Sequence, residues 1–134
     1  MMLTFTGQLD KILDGSKTMT TRLDAKERKY QEAVRKFRAG EPVIAHMWWK
    51  NPRTRHPDCY KIGRVTVKQA GRKLGAYFDQ EDATRDGFTT IREYKQELAR
   101  LNEMPWYEVD RTTWTQIIWK KSGWLDGPHP RKVA

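Results

Sequence analysis

The segment Gly15-Ser16-Lys17-Thr18-Met19-Thr20-Thr21-Arg22 concentrates an amine, four hydroxyls and a guanidinium within eight residues. Such groups suit acyl chemistry: a hydroxyl attacks or positions a water, an amine takes the proton, and a cation steadies the oxyanion. An ordinary lysine titrates at about 10.4, so Lys17 acts as a base near neutrality only if burial or a neighbouring cation lowers that value. Arg22 is such a cation, and its planar fork also suits a base carbonyl or a phosphate. In a regular strand Thr18, Thr20 and Arg22 share one face, and Lys17, Met19 and Thr21 share the other. Lys17 therefore meets Thr20 only if the Gly15-Ser16 turn, or a bulge beside it, redirects the lysine. Taken by type alone, Lys17 and Arg22 are also ordinary solvated charges, and Thr20 an ordinary β-branched strand residue.

Other groups are scattered along the chain. Asp86 stands before Gly87 and Phe88, a carboxylate at a turn. His46, Trp48 and Trp49 fall on or at the end of an apolar run, where rings either stack on a base or fill a core. Lys50, Arg53, Arg55 and His56, flanked by Trp48, Trp49 and Tyr60, form a basic stretch that suits RNA contact and equally suits plain solvation. His46, His56 and His129 with Cys59 show no metal-ligand spacing, so no metal or organic cofactor is expected.

The elements that must position these groups follow from periodicity. A short strand at 3–5 precedes a helical turn carrying Leu9, Ile12 and Leu13, ended by Asp14-Gly15. Residues 19–23 read as a strand. Asp24 is the expected N-cap of a helix to about Ala39, stopped by Gly40, with Tyr30, Ala33, Val34 and Phe37 on its buried face. Strands are expected over 43–49 and over 60–67, the latter extending as far as Ala70, with an exposed loop over 50–58 between them. Gly71 and Gly75 mark turns. Thr89 is the expected N-cap of a second helix bearing Ile91, Tyr94, Leu98 and Leu101. Residues 114–119 close the fold as a strand. The division is one domain over 1–122 and a weakly patterned tail over 123–134.

Composition bounds the function. The chain of 134 residues carries 26 Lys and Arg against 17 Asp and Glu, a formal charge of +9. That potential draws phosphate-bearing partners, although both signs are abundant enough to describe a merely soluble surface. One cysteine excludes an internal disulfide framework. The first residues show neither a basic nor an apolar signal region, and no run is long enough for a membrane span, so a cytoplasmic location without membrane partners is expected.

The stretch Ile12-Leu13-Asp14-Gly15-Ser16-Lys17-Thr18-Met19-Thr20-Thr21-Arg22 resembles the opening signature of ASCH domains, in which a short helix, a glycine and a Lys-Thr-x-Thr-x-Arg strand occur together. Asp86-Gly87-Phe88, followed after Thr89 by an amphipathic helix and later by Trp106, resembles the acidic-Gly-Phe element of the same family. The resemblance covers the chain to about Trp119 and implies an α+β fold, a PUA-like mixed β-barrel with flanking helices. Its cleft is expected between the motif strand and the acidic element.

Within that group the sequence is similar to small bacterial amidohydrolases that remove the acyl group from N4-acetylcytidine. The resemblance implies Lys17, Thr20 and Asp86 as the catalytic set, with Arg22, Thr18, Phe88 and Trp48 binding substrate. The implied partner is a small nucleoside or nucleobase. Asp86 departs from the glutamate usual in the group by one methylene, and the 50–58 segment and the C-terminal end are longer. The rival expectation is an RNA-binding module or ribonuclease that uses the same cleft and the basic surface.

Overall fold

A computed structural model describes residues 1–24, 26–51, 53 and 59–127, with Ser122 and residues 131–132 described by backbone alone. Arg55, His56 and His129, and most of the expected 50–58 loop, lie outside the described residues.

The first strand, β1 (Met2–Phe5), turns Leu3 and Phe5 inward and leaves Met2 exposed. The short α1 (Leu9–Asp14) buries Ile12 and ends at Gly15, whose φ of 83° is the left-handed cap that glycine adopts without strain. After β2 (Met19–Leu23) comes α2 (Arg28–Arg38), which buries Tyr30, Ala33 and Val34 and shows basic residues in its last turn. Its N-cap is Glu27, not Asp24. Asp24 instead accepts from Arg72 Nε at 2.9 Å and from Thr115 Oγ1 at 2.7 Å. A charge-assisted bond to a guanidinium outweighs a cap's bond to a neutral N–H, so the carboxylate joins the sheet.

The remaining elements are β3 (Ile44–Lys50), β4 (Cys59–Leu74), a 3₁₀ turn (Gly75–Tyr77), α3 (Gln80–Arg85), α4 (Ile91–Leu101), α5 (Glu108–Arg111), β5 (Thr113–Trp124) and β6 (Arg131–Lys132). β4 does not stop near Ala70. Gly71 is a strand residue paired with Gln116, because the ladder to β5 continues to Leu74. Gly75 does mark the turn, and a Cβ there would lie 1.9 Å from the Val109 carbonyl oxygen. α4 starts one residue later than expected: Thr90 is the cap, accepting from Glu93 N at 3.1 Å. β5 runs past Trp119 to Trp124, whose ring packs against the core.

The sheet order is β1-β3-β4-β5-β2, with β6 beside β4. β1 runs parallel to β3, and the other pairs are antiparallel. The sheet curls into a half-barrel flanked by helices, an α+β architecture. One core lies against one face of the sheet, where Leu3, Tyr30, Val34, Met47, Val65 and Ile117 meet. A second core lies between the far end of the sheet and α3 to α5, around Met19, Phe78, Tyr94, Leu98 and Trp114. Ile117 faces the first core and its neighbour Ile118 the second, so β5 is buried on both faces. Among the described residues no helix is long and apolar enough to cross a membrane.

The glycine at the 3₁₀ turn gives a test of this packing. Gly75→Ala forces a methyl group into α5 backbone, and the overpacking should cost about 1–3 kcal/mol or more in urea unfolding. Gly71→Ala, with nothing within 4 Å of the added Cβ, should stay within about 0.5 kcal/mol of wild type.

Candidate functional site

The turn after α1 is tied at each residue. Ser16 N donates to Asp14 Oδ1 at 2.7 Å, Lys17 N to Lys11 O at 2.9 Å, and Thr18 N to Arg85 O at 2.8 Å. Trp119 N in turn donates to Thr18 O at 2.9 Å, so the chain is held between α3 and β5 before β2 begins. Lys17 thus precedes the regular strand, and strand alternation does not dictate its direction. Its side chain turns inward and is buried, with the whole residue 3% exposed.

There it meets Asp86, from 69 residues away in sequence. Lys17 Nζ forms a short contact with Asp86 Oδ1 and donates to the Asp86 main-chain oxygen at 3.0 Å. Asp86 is the C-terminal cap of α3 and is equally buried. The next residue, Gly87, takes a φ of 87°, and its carbonyl oxygen accepts from Gln8 Nε2 at 3.2 Å and from Lys11 Nζ at 2.5 Å. The short helix α1 therefore latches the turn that carries the carboxylate.

Burial dominates the electrostatics of the pair. It pushes the Lys17 amine below its ordinary value, against the pull of the Asp86 carboxylate, while Arg22 and Lys11 add to the lowering. The same burial pushes the Asp86 carboxyl up, against Lys17, a Thr21 hydrogen bond and Arg22. Both shifts favour a proton shared between amine and acid over two separate charges. Thr21 also joins Tyr94 OH at 2.5 Å, and Gln116 Nε2 donates to that phenol at 3.4 Å. Burial and the Asp86 charge raise the phenol's pKa, so Tyr94 stays protonated.

Thr20 and Arg22 point to the other face of β2, as alternation requires. Thr20 is buried, and its Oγ1 accepts from Arg22 Nε at 2.9 Å. Among the described residues Thr20 makes no hydrogen bond to Lys17. Arg22 Nη2 donates to Thr4 O at 2.9 Å and Nη1 to Tyr30 OH at 3.4 Å, and the guanidinium lies 5.1 Å from the Phe5 ring centroid. Lys17 Nζ lies 5.8 Å from the same ring. The Arg22 fork, expected to hold substrate, is thus engaged by the protein itself.

The other expected binding residues are dispersed. Phe88 packs on Tyr94, ring centroids 5.7 Å apart, in the helix-side core. Trp48 sits in register with Thr4 and Lys61, and its indole N–H is buried without a partner among the described residues. Thr18 lines a separate cavity. Sequence reasoning missed Gln8, Lys11, Thr21 and Tyr94. Thr21 lay inside the motif, and Tyr94 was assigned to the core by its helical spacing. Gln8 and Lys11 carried no signal, because their role depends on a distant turn.

Among the described residues no three His, Cys, Asp or Glu side chains gather in a metal-holding group. The chain matches no known family model, no curated protein and no solved structure at a significant level.

The electrostatics fix the sign of one titration. The Asp86 carboxylate raises the Lys17 pKa, while burial and Arg22 lower it. Asp86→Asn removes the raising influence of the carboxylate, so Lys17 Nζ should titrate at lower pH than in wild type. Side-chain nitrogen NMR of the lysine checks this, and a shift to higher pH would refute the assignment of causes.

Proposed function

We propose that this protein is an amidohydrolase of the ASCH type, built on a PUA-like barrel, that removes the acyl group from N4-acetylcytidine or a related N4-acylcytosine compound. The observation that carries the reading is the buried contact of Lys17 with Asp86, in which burial lowers the amine's pKa. An amine lowered toward neutrality is what a general base requires, and a solvated lysine lacks it.

In this reading Thr20 presents the attacking oxygen, either its own or that of a water it holds. Arg22 Nε, bonded to Thr20 Oγ1, holds the attacking group beside a fixed cation, which steadies the oxyanion formed as the carbonyl π bond opens. As the bond to the acyl carbon forms, the proton passes to Lys17 across a bridging water, since Thr20 and Lys17 share no direct hydrogen bond. The tetrahedral intermediate then breaks its C–N bond, and Asp86, carrying a proton, gives it to the departing exocyclic nitrogen of cytosine. Water supplies the second oxygen of the released carboxylic acid, directly or by hydrolysing an acyl-threonine. The Thr21 hydroxyl beside Asp86 and the protonated Tyr94 beyond it keep the acid in place through the cycle.

An RNA-binding module or ribonuclease is the second reading, supported by the net charge of +9 and by lysines gathered round the Thr18 cavity.

Ultraviolet conversion of N4-acetylcytidine to cytidine tests the first reading. Wild type should turn over with excess chelator present, and Lys17→Ala should lower kcat by about 100- to 10,000-fold, the range for loss of one acid–base group. Folded wild type with no turnover on the base, the nucleoside or an acetylated oligonucleotide would sink the amidohydrolase reading.

A further inference from the structure

The ladder between β4 and β5 is broken twice. Val67 pairs with Trp119 and Gln69 with Ile118, so Lys68 is an extra residue that bulges from β4. Val65 pairs with Trp124, so β5 passes residues 120–123 outside the ladder where β4 passes only Thr66. That excursion folds back tightly: a Cβ on Gly123 would stand 2.8 Å from the Lys120 Cβ. It also leans on the Gly15 turn, where an added Cβ would lie 3.3 Å from Lys121 O.

The two irregularities bring Lys68, Lys120 and Lys121 round one cavity of about 320 Å³. Thr18 and Arg85 complete its wall, Ile118 and Trp119 supply apolar lining, and no carboxylate lines it. All three lysines are exposed and form no ion pair among the described residues. Asp14 feels the Lys121 charge but accepts from Ser16 N, and Arg85 is engaged by Glu81.

Ammonium groups gathered round one concavity repel one another, and an anion among them removes that repulsion. The volume lies at the small end of ligand sites, about 300–1,000 Å³, and suits one nucleotide-sized group. A cationic rim over an apolar wall matches a phosphate ester carrying a ring. We propose that this cavity binds the phosphate of a nucleotide, either free or within a single strand of RNA. Thr18 and Arg85 are the chain neighbours of Lys17 and Asp86, joined by the Thr18 N to Arg85 O bond of 2.8 Å, so the phosphate sits beside the buried pair. The site lies further along β4 than the basic stretch between β3 and β4, and it needs no turnover to operate.

Polarisation of a fluorescent oligouridylate measures binding, with uridine 5′-monophosphate as competitor. The variant Lys68→Ala/Lys120→Ala/Lys121→Ala is compared with Lys36→Ala/Arg38→Ala/Arg92→Ala, which removes the same charge elsewhere. Three lysine–phosphate contacts account for roughly a twentyfold loss of affinity between about 50 and 200 mM salt. The first variant should lose that share of the wild-type salt dependence and bind at least about tenfold more weakly at the lower salt, and the second should hold close to wild type. Competition by the mononucleotide identifies a free nucleotide as ligand. Binding of the oligonucleotide without such competition identifies an RNA strand. Absence of binding by wild type, or equal weakening in both triple variants, overturns the proposal. Lys120→Glu alone, changing one exposed side chain, should reproduce part of the loss.

Discussion

The enclosed contact between Lys17 and Asp86 is the constraint on which the surrounding structure depends. Two ionisable groups withdrawn from water cost several kcal/mol each unless they meet with good geometry and satisfied protons. The chain meets that demand from three directions. The Gly15 turn aims the amine inward, the end of α3 presents both a carboxylate and a main-chain oxygen to it, and α1 grips the Gly87 carbonyl. Removing either partner leaves a buried group without its counterpart. A pair of apolar side chains would join the same segments at least as firmly, so stability alone gives no reason for an amine and an acid here.

A second constraint comes from the open half-barrel. β1 and β2 are the terminal strands of the main sheet path, and among the described residues each has a neighbouring strand on one side only. Arg22 bridges the two, donating from β2 to the Thr4 carbonyl of β1 while holding Thr20 and passing beside Phe5. One side chain thus closes the seam and sets the electrostatics of the hydroxyl beside it. This dual task explains why its fork is turned inward.

β5 links the two halves of the molecule. It pairs with β2 along the motif and with β4 along the opposite side, and it sends alternate residues into separate cores. Where it departs from β4, the departure carries lysines and ends on a glycine that the fold-back requires. Broken pairing therefore gathers the lysines of the basic cavity round one concavity. Its position follows from the same Thr18 and Arg85 backbone that fixes the buried pair.

Much of the local structure was legible in the sequence. The Asp14-Gly15 stop, the strand at 19–23 and the apolar stripe of α4 follow from glycine's conformational freedom and from residue spacing, which act over a few residues. α3 escaped notice because its six residues bury only Asp82 and Ala83, too few for a periodic signal, although the Asp79 and Asp82 capping box was present to be read. Asp24 misled because a good cap residue is also a good ion-pair partner, and only the position of Arg72 decides between them. The motif itself named Lys17, Thr20 and Arg22 as chemically able, and composition supplied the charge. Which of them became buried, which met Asp86 and which turned to clamp a seam was decided by tertiary structure alone. A side chain's pKa and partners depend on what folding brings within a few ångströms and what it shuts away from water, and neither is encoded in the spacing of neighbours along the chain.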